Sequence, residues 1–302
     1  MKPCLILPTL NAADHAKTFI NAITEQAISE FDCQLIDSSS SDGTPDIFAA
    51  AGFRIHSIPR KEFNHGATRQ LAVNLCPDAD IIIFMTQDAI LAEPLSLQRI
   101  VEAFTDPCVG AAYGRQFPSQ DASPIASHAR LFNYPAKSRV VSKDDILCLG
   151  VKAAFISNSF AAYRRGALQD VGGFPPSVIF GEDTCVAARM LQSGWKIAYC
   201  AEAQVWHSHN YTIREEFHRY FDIGVFHSRE KWFLQSLGRA EGEGRKFVIS
   251  EFQFLSLKAP WYIPAACLRT LLKFAGYRLG LAEKHLPVSV KKRLSMNRAF
   301  WR

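Results

Sequence analysis

The sequence predicts an α/β fold in which a doubly wound, largely parallel sheet is followed by a C-terminal helical extension. Short apolar runs alternate with segments of helical apolar spacing, and polar loops follow the runs. Repeated βα units of this kind are typical of parallel sheets covered by helices. The run at residues 81–85 is apolar at every position, as in a strand buried on both faces. From residue 214 onward the apolar spacing is helical only.

The first half of the chain divides into four strands and three helices. Strands are predicted at residues 4–7, 31–36, 54–58 and 80–85, and helices at residues 11–28, 45–51 and 65–75. Right-handed crossovers would place the loops after these strands on one rim, where ligands bind in open α/β sheets. The sequence therefore predicts a binding site made of the polar residues at these strand ends.

The second half is less regular. Residues 111–149 contain three prolines with many serines and aspartates, so we expect functional loops there rather than a simple connection. Strands predicted at 153–156 and 160–163 bracket Ser157-Asn158-Ser159, whose side chains are expected to face a cleft. A helix is predicted at 186–191, ended by Gly194, and strands follow at 195–200 and 203–206.

Composition limits the classes of protein to which the chain can belong. Its 302 residues are 48% hydrophobic and 21% charged, which suits one large folded domain or a domain with an appendage. Eight cysteines without CxxC spacing favour neither a zinc site nor a redox motif and indicate a reducing cytosolic compartment. We expect neither a signal peptide nor a transmembrane helix, because the apolar runs are too short.

Two aspartates stand at the ends of predicted strands. Asp88 follows the run at 81–85, where a carboxylate can hold a divalent cation against the diphosphate of a nucleotide. The alternative is that Asp88 begins a turn or caps the next helix. Asp37 can accept a hydrogen bond from the N–H of a pyrimidine base, or serve a structural role. The serines and Asp42-Gly43-Thr44 that follow Asp37 are explained by helix capping.

Helix starts supply the next candidates. Asn64 can cap the helix at 65–75, which places Arg69 one turn in, where its planar fork can reach phosphate. The alternative is an ordinary helix start with a solvated arginine and a structural His65. Glu182 and Asp183 precede the helix at 186–191. Negative charge at a helix N-terminus is stabilised by the helix dipole, so capping explains these two residues as well as a catalytic role does.

Two histidines follow the last predicted strand. His207 and His209 are two residues apart on an extended segment, so their side chains are predicted to point to opposite faces. We therefore expect at most one of them to share an ion with Asp88.

In their order and spacing these segments resemble an inverting family 2 glycosyltransferase of the GT-A type, and more narrowly its bacterial rhamnosyltransferase branch. The resemblance covers the whole chain. It rests on Pro8-Thr9-Leu10-Asn11, Asp37-Ser38-Ser39-Ser40-Ser41-Asp42-Gly43-Thr44, Phe63-Asn64-His65-Gly66-Ala67-Thr68-Arg69, Thr86-Gln87-Asp88-Ala89, Gly181-Glu182-Asp183 and His207-Ser208-His209.

The resemblance implies a role for each matching residue. Asp183 matches the catalytic base, and Asp88 and His207 match ligands of Mg²⁺ or Mn²⁺. Thr86 departs from the family's Asp-x-Asp motif by replacing its first carboxylate, which leaves the metal site with less negative charge. The donor nucleotide would be contacted by Pro8, Thr9, Asn11, Asp37, Arg69 and Gln87. The acceptor side would include Arg115, Ser157, Asn158, Glu182 and His209.

The implied activity is transfer of a sugar from a nucleotide donor, with dTDP-L-rhamnose expected. The acceptor would be a lipid-linked (polyprenyl-diphosphate) or polysaccharide glycan in bacterial surface-glycan synthesis, such as O-antigen or capsule. Residues 1–212 would form the catalytic domain, with a donor half at about 1–110 and an acceptor half at about 111–212. One alternative is a sugar nucleotidyltransferase, but residues 5–11 lack the Gly-rich phosphate loop of that class. Another is a non-catalytic membrane-surface binding protein on a degenerate transferase fold.

The C-terminal segment, residues 213–302, is predicted to be helical, basic and amphipathic. From residue 258 to the end there are ten basic residues and one acidic residue, within a net charge of +5 for the chain. Arg269 and Lys273 share a helical face, and Trp261 and Tyr262 suit an interfacial belt, so the segment can lie on an anionic bilayer. The protein would then be cytoplasmic and peripheral on the inner face of the plasma membrane. The alternative is a helical subdomain with a solvated basic face, and no nucleic-acid recognition motif accompanies the charge.

Overall fold

The computed structural model describes residues 1–28, 30–238 and 242–301. Within them a single mixed sheet contains nine strands. The strands are β1 (Pro3–Thr9), β2 (Asp32–Asp37), β3 (Arg54–Ser57), β4 (Ile81–Met85), β5 (Ile90–Leu91), β6 (Val109–Phe117), β7 (Arg139–Val141), β8 (Phe160–Arg164) and β9 (Lys196–Trp206).

The helices flank this sheet and, with short turns, make up the described part of the C-terminal segment. Short 3-10 turns separate several of them. The α-helices are α1 (Ala13–Thr24), α2 (Thr44–Ala50), α3 (His65–Asn74), α4 (Ser96–Glu102), α5 (Pro124–Asn133), α6 (Ile146–Leu149), α7 (Arg165–Asp170), α8 (Glu182–Gln192), α9 (Ile213–Arg229), α10 (Lys231–Leu237), α11 (Glu243–Lys258), α12 (Ile263–Leu281) and α13 (Val288–Leu294).

The strand order is β3-β2-β1-β4-β8-β6-β9-β5, and β7 pairs with β9 outside this path. The first four strands of the order are parallel, as predicted. Strand β8 is antiparallel to both β4 and β6, whereas β6 and β9 are parallel. The predicted α/β fold with a C-terminal helical part is confirmed, but the second half of the sheet is mixed rather than parallel.

Strand β4 lies at the centre of the sheet and is buried on both faces, as predicted. Ile82 and Phe84 belong to one hydrophobic layer, and Ile81, Ile83 and Met85 belong to the other. Since successive side chains of a strand point to opposite faces, a wholly apolar run is required where helices cover both sides of the sheet.

Three predictions for the second half are wrong. Residues 109–117 form a strand, β6, which packs so closely that a Cβ on Gly114 would lie 2.3 Å from the Phe160 ring. Residues 150–154 form a 3-10 turn rather than a strand. The two strands predicted at 195–206 are one strand, β9, whose register against β6 shifts between Gly114 and Arg115.

The C-terminal helices pack on the sheet and on α8 rather than apart from them. Phe221 and Val225 of α9, with Trp301, belong to the same hydrophobic core as β4 and α8. The carboxylate of the buried Asp222 accepts hydrogen bonds from the Ser295 hydroxyl at 2.6 Å and from the Asn297 backbone at 3.0 Å. A division at residue 212 therefore does not separate two hydrophobic cores.

Helix α12 turns its central basic residues inward. Arg269 and Lys273 pair with Glu216 of α9 at 2.9 and 3.3 Å. The expectation that they present a basic face to the surroundings is therefore wrong. The outward face of α12 is instead apolar, with Leu271 and Phe274 exposed by 67% and 65%. Among the described residues, no helix combines the length and hydropathy needed to cross a bilayer.

Helices α9 and α12 approach so closely that glycine is required at their contact. A Cβ on Gly280 would lie 2.1 Å from the backbone oxygen of Phe221. We expect Gly280→Ala to lower the free energy of unfolding by about 1–3 kcal/mol, the usual cost of overpacking. Denaturant unfolding measures this change. The matched control is Gly244→Ala in α11, where a Cβ meets nothing within 4 Å. An equal effect of both substitutions would contradict the close-contact explanation.

Candidate active site

The sheet brings four polar segments to one rim. Thr9 and Asp37, the last residues of β1 and β2, are register partners. Met85, the last residue of β4, pairs with Phe160, the first residue of β8. Because β8 is antiparallel to β4, the loop 157–159 before β8 lies beside the loop 86–88 after β4. The residues that follow β9 reach the same rim: the His207 backbone N–H donates to the carbonyl of Phe117 at the end of β6 at 2.9 Å, and the His207 side chain lies beside Asp88.

The ends of β1 and β2 carry buried polar atoms that lack partners. Thr9 Oγ1, Asp37 Oδ1 and Ser38 Oγ form no hydrogen bond within the described structure, although each is buried. The other carboxylate oxygen of Asp37 accepts from the Ser40 backbone at 3.0 Å. Buried polar atoms are normally hydrogen-bonded, so this cluster indicates a ligand with donor groups. The predicted nucleobase contacts Thr9 and Asp37 are the residues concerned.

Three other predicted nucleotide contacts hold the rim loops together. Gln87 accepts from the Leu10 backbone N–H at 2.9 Å and donates to its carbonyl at 3.2 Å. Asn11, with a left-handed φ of 50°, accepts from the Ser41 backbone N–H at 3.0 Å. Pro8 lies within β1, opposite Ile36 in register.

Arg69 does not stand free at the start of its helix. As expected, the Asn64 side chain caps α3 by accepting from the Ala67 backbone N–H at 2.9 Å. The guanidinium of Arg69, which is 8% exposed, pairs with the buried Glu182 at 2.9 Å. Burial alone would raise the pKa of Glu182, but the charge of Arg69 lowers it overall. The pair joins the donor side of the rim to the start of α8.

Asp183 lies in the first turn of α8, beside this pair. Its carboxylate accepts from the backbone N–H groups of Asn158 at 3.2 Å and Thr184 at 2.7 Å. Burial, followed by the negative charge of Glu182, raises the pKa of Asp183 to about 6. A carboxylate with a raised pKa that faces a cleft is suited to accept a proton near neutral pH.

Asn158 connects the two carboxylates. Its Nδ2 donates to Glu182 Oε1 at 3.3 Å, and its Oδ1 accepts from the Tyr163 hydroxyl at 2.7 Å. The side chain of Ser157 lines the same cleft. The loop that was predicted to face the cleft is therefore part of the site.

Asp88, His207 and His209 form a compact cluster on the other side of the rim. His207 Nε2 and His209 Nδ1 lie 3.4 and 3.6 Å from Asp88 Oδ2, and one ligand atom from each residue falls within 4.8 Å of the others. The expectation that the two histidines point to opposite faces is wrong, because the strand ends at Trp206. Burial would raise the pKa of Asp88, but the imidazole of His207 beside it lowers that pKa overall.

The cluster fits a divalent cation. His207 Nε2 is buried and has no hydrogen bond in the described structure. Its Nδ1 lies 2.9 Å from Gln116 Oε1, which fixes the ring so that Nε2 faces Asp88. A carboxylate and two imidazoles suit Mn²⁺ better than Mg²⁺, which prefers oxygen ligands.

Sequence reasoning missed two residues that orient this cluster. Gln116 on β6 receives a 2.6 Å hydrogen bond from Arg130 of α5 while it holds His207. No sequence signal could have found this chain of contacts, since its members are separated by up to 91 positions.

A cleft of about 630 Å³ connects the Arg69–Glu182 pair and Asp183 with the two histidines, whereas Thr9 and Asp37 do not line it. Asp183, His207 and His209 line it, together with residues of α5, α9, α11 and α12. Arg115, which was predicted to lie on the acceptor side, is not among the lining residues. Its Nε donates to the Tyr134 carbonyl at 3.2 Å, and its guanidinium lies over the Phe117 ring.

The chain is similar to proteins of one known family. The profile of Glycosyl transferase family 2 matches residues 4–172. The chain is similar to the O-antigen chain rhamnosyltransferase RfbN of Salmonella typhimurium, with 50% identity over 302 residues that cover 100% of this chain and 96% of the relative. It is also similar to the O-antigen chain rhamnosyltransferase WbaN of Salmonella anatum, with 47% identity over 98% of this chain and 95% of the relative.

Solved structures share the fold at low sequence identity. One is the mannosyltransferase PcManGT from Pyrobaculum calidifontis in complex with GDP-Man and Mn²⁺, with a TM-score of 0.58, 19% identity and coverage of 99% of this chain and 85% of that one. Another is S. aureus TarS residues 1–349 in complex with UDP, with a TM-score of 0.57, 14% identity and coverage of 94% of this chain and 91% of that one. These likenesses concern the fold.

Proposed function

The chain belongs to glycosyl transferase family 2, and on that premise we propose that it transfers L-rhamnose from dTDP-L-rhamnose to an O-antigen chain. The observation that carries the proposal is the cleft lined by Asp183 and by the two histidines of the Asp88–His207–His209 cluster. The names of two full-length relatives support rhamnose as the sugar and the O-antigen as the product.

In the proposed reaction, Asp183 acts as the general base. An acceptor hydroxyl has a high pKa, so its proton must be taken as its oxygen attacks the anomeric carbon of the donor. Asp183 accepts that proton, a new C–O bond forms, and the bond to the diphosphate breaks. Attack opposite the leaving group inverts the anomeric configuration, so a dTDP-β-L-rhamnose donor yields an α-L-rhamnoside.

The remaining residues bind and orient the reactants. Asp88, His207 and His209 would hold Mn²⁺ or Mg²⁺. The positive charge of the ion would offset the negative charge of the departing diphosphate. The unpartnered Asp37 Oδ1 suits the N–H of a pyrimidine such as thymine, with Thr9 Oγ1 beside it. The pair of Arg69 and Glu182 holds α8 in place, so that Asp183 faces the acceptor.

A donor panel tests the proposed activity. The protein is incubated with Mn²⁺ or Mg²⁺, a lipid-linked acceptor and dTDP-L-rhamnose, UDP-sugars or GDP-sugars, and released nucleotide is measured. We expect dTDP release from dTDP-L-rhamnose alone. Release of pyrophosphate would favour a sugar nucleotidyltransferase, and binding to vesicles without turnover of any donor would favour a non-catalytic surface protein. Turnover of another nucleotide sugar would overturn the choice of rhamnose.

Gln116 offers a test of how the cation site is oriented. Gln116→Leu removes the acceptor that fixes the His207 ring. We expect Mn²⁺ affinity to fall about 10–100-fold, the usual effect of losing such a partner of a ligand. Titration of Mn²⁺ in the presence of dTDP measures this change. Wild-type affinity in the variant would show that the ring is held by other contacts.

We further propose that the protein binds the cytoplasmic surface of an anionic membrane through α11 and α12. Their outward residues form an exposed apolar surface, which we call the α11–α12 face. It consists of Val248, Ile249, Phe252, Leu257, Trp261, Leu268, Leu271 and Phe274.

The charges around the α11–α12 face favour an anionic bilayer as its partner. Glu251 is the sole acidic residue between positions 244 and 279, and it is buried. The exposed charged residues of this stretch are all basic: Arg245, Lys246, Lys258 and Arg278. An apolar patch with a basic surround matches the boundary between acyl chains and anionic headgroups. A lipid-linked acceptor would reach the cleft from the same membrane.

Substitutions on the α11–α12 face test this partner. The double variant Leu271→Glu, Phe274→Glu should weaken binding to phosphatidylglycerol vesicles by about 100-fold or more, because each side chain contributes roughly 1.5–3 kcal/mol when buried. Vesicle sedimentation measures this change. The control is Leu147→Glu, at a position on α6 that is 94% exposed. Equal vesicle binding by the double variant and the control would contradict the proposed surface.

A further inference from the structure

One cationic side chain of the cleft has no polar partner. Four of its basic residues are hydrogen-bonded or ion-paired: Arg69 and Glu182 form a pair, Arg130 donates to Gln116, and Arg269 and Lys273 share Glu216. Arg219 of α9 also lines the cleft, and within the described residues its guanidinium forms neither a hydrogen bond nor an ion pair. A half-buried arginine without a carboxylate partner leaves its fork of donors available to a ligand.

Aromatic rings fix the position of this guanidinium. It lies 4.7 Å from the centroid of the Phe180 ring and 5.7 Å from that of Tyr211. The Tyr211 ring packs on His209 with centroids 4.9 Å apart, and His209 packs on His207 at 4.6 Å. Phe180 directly precedes Gly181-Glu182-Asp183. Arg219 is therefore connected through Tyr211 to the histidines of the proposed cation site and through Phe180 to the segment that carries the proposed base.

The helix that carries Arg219 is anchored on either side of this residue, at its N-terminus and at Asp222. The Thr212 hydroxyl accepts from the Glu215 backbone N–H at 3.2 Å, and Glu215 Oε2 accepts from the Thr212 N–H at 2.8 Å, which completes a capping box. In the middle of the helix, the Asp222 carboxylate accepts hydrogen bonds from the Ser295 hydroxyl and the Asn297 backbone N–H. A ligand that binds Arg219 therefore meets a group whose position is already set, which lowers the entropic cost of binding.

We propose that Arg219 binds a diphosphate in the cleft through its guanidinium fork. The proposal rests on the transferase function proposed above and adds a ligand-binding residue to it. The cation cluster contains one carboxylate, because Thr86 occupies the position where a second carboxylate would be expected. A nucleoside diphosphate carries more negative charge than one divalent cation neutralises. A planar, permanently charged fork matches the remaining phosphate oxygens.

Two diphosphates have this chemistry. One belongs to the nucleotide donor and the other to a polyprenyl-diphosphate-linked acceptor. Because Arg219 lies close to the proposed cation site, we expect the donor to be the ligand. In that arrangement the C-terminal segment completes the donor site.

The test uses the full-length protein and three variants. Arg219→Gln removes the charge, Arg219→Lys keeps the charge but loses the fork, and Arg214→Gln removes an exposed charge one turn away on the same helix. Titration calorimetry with Mg²⁺ measures binding of dTDP and of dTMP to each protein. Steady-state assays measure KM for the lipid-diphosphate acceptor and for the same glycan without its lipid diphosphate.

We expect Arg219→Gln to weaken dTDP binding about 10–100-fold, as for a lost hydrogen bond to a charged group, with a smaller effect on dTMP. The dTDP affinity of Arg219→Lys should lie between those of Arg219→Gln and the wild type, and the dTDP affinity of Arg214→Gln should match that of the wild type. Unchanged dTDP affinity with a raised KM for the diphosphate-linked acceptor alone would assign Arg219 to the acceptor diphosphate. If Arg219→Gln and Arg214→Gln are alike in both measurements, the proposal is overturned.

The same titrations separate this inference from the choice of donor. If the wild type binds UDP or GDP in place of dTDP, the donor proposal fails. Arg219 is then tested with that nucleotide against its monophosphate, and the same loss of affinity is expected. An unchanged preference for the diphosphate in Arg219→Gln would overturn the inference whichever base is bound.

Discussion

Replacing Asp183 with asparagine is expected to lower kcat by about 10²–10⁴-fold, the range attributed to a positioned general base. Asparagine has nearly the same shape but cannot accept the proton of the acceptor hydroxyl. The affinity for dTDP should not change, because the predicted nucleobase contacts lie at the ends of β1 and β2. Single-turnover kinetics and calorimetry with dTDP measure these two quantities separately.

The pH dependence of the wild type provides a second readout. Burial and the charge of Glu182 raise the pKa of Asp183 to about 6, so kcat/KM should fall as the pH drops through this value and the base becomes protonated. Glu182→Gln removes the charge that helps to raise this pKa, so the acidic limb should move to lower pH. A profile without an acidic limb near pH 6 in the wild type would contradict Asp183 as the base.

Loss of activity in Asp183→Asn should not reflect loss of folding. A group whose pKa is raised in the folded protein stabilises the fold below its unfolded pKa, and this contribution is lost as the pH rises through the folded pKa. At neutral pH the Asp183 charge therefore opposes folding, and Asp183→Asn should melt at or above the wild-type temperature. The exposed Asp170→Asn serves as the control. Turnover by Asp183→Asn within tenfold of the control would refute the assignment.

Replacing Asp88 with alanine is expected to abolish the dependence of dTDP binding on Mn²⁺ and to lower kcat by at least about 100-fold, because a bound cation contributes several kcal/mol to charge stabilisation. Asp88 supplies the carboxylate of the cluster, and the two imidazoles alone carry no negative charge to attract the ion. Calorimetry with dTDP in the presence of Mn²⁺ and of a chelator measures the dependence directly.

Two further variants make this test specific. Asp88→Asn keeps the size of the side chain but removes its charge, so it should behave like Asp88→Ala if the charge matters. Asp78→Ala, at an exposed position before β4, should retain the wild-type response to chelator. If chelator changes dTDP affinity equally in Asp88→Ala and in Asp78→Ala, the cation does not bind at Asp88.

Several features of this protein follow from the sequence because they are local. The apolar run of β4 must be covered on both faces, and the polar residues after it must leave the core, so Asp88 is at the rim in any fold of this class. The ends of β1 and β2 place Thr9 and Asp37 in the same way. Asn64 caps α3 because the cap and its partner are three residues apart.

Other features depend on contacts between distant parts of the chain. The direction of β8 is set by its pairing with β4 and β6, and its reversal brings Asn158 to Asp183. Arg69 pairs with Glu182 across 113 positions of sequence rather than facing the solvent, and Gln116 fixes His207 across 91. Spacing along the chain carries no information about such pairs.

The C-terminal segment shows the same division. Its helical spacing and its excess of basic residues are readable from the sequence, since both are properties of neighbouring positions. Which face of α12 turns inward was decided by Glu216 of α9, which draws Arg269 and Lys273 toward the cleft and leaves an apolar face outside. Local sequence patterns therefore indicate the first four strands and their polar ends, whereas the partners of the charged side chains depend on the fold, because burial of charge requires a partner that only the folded chain supplies.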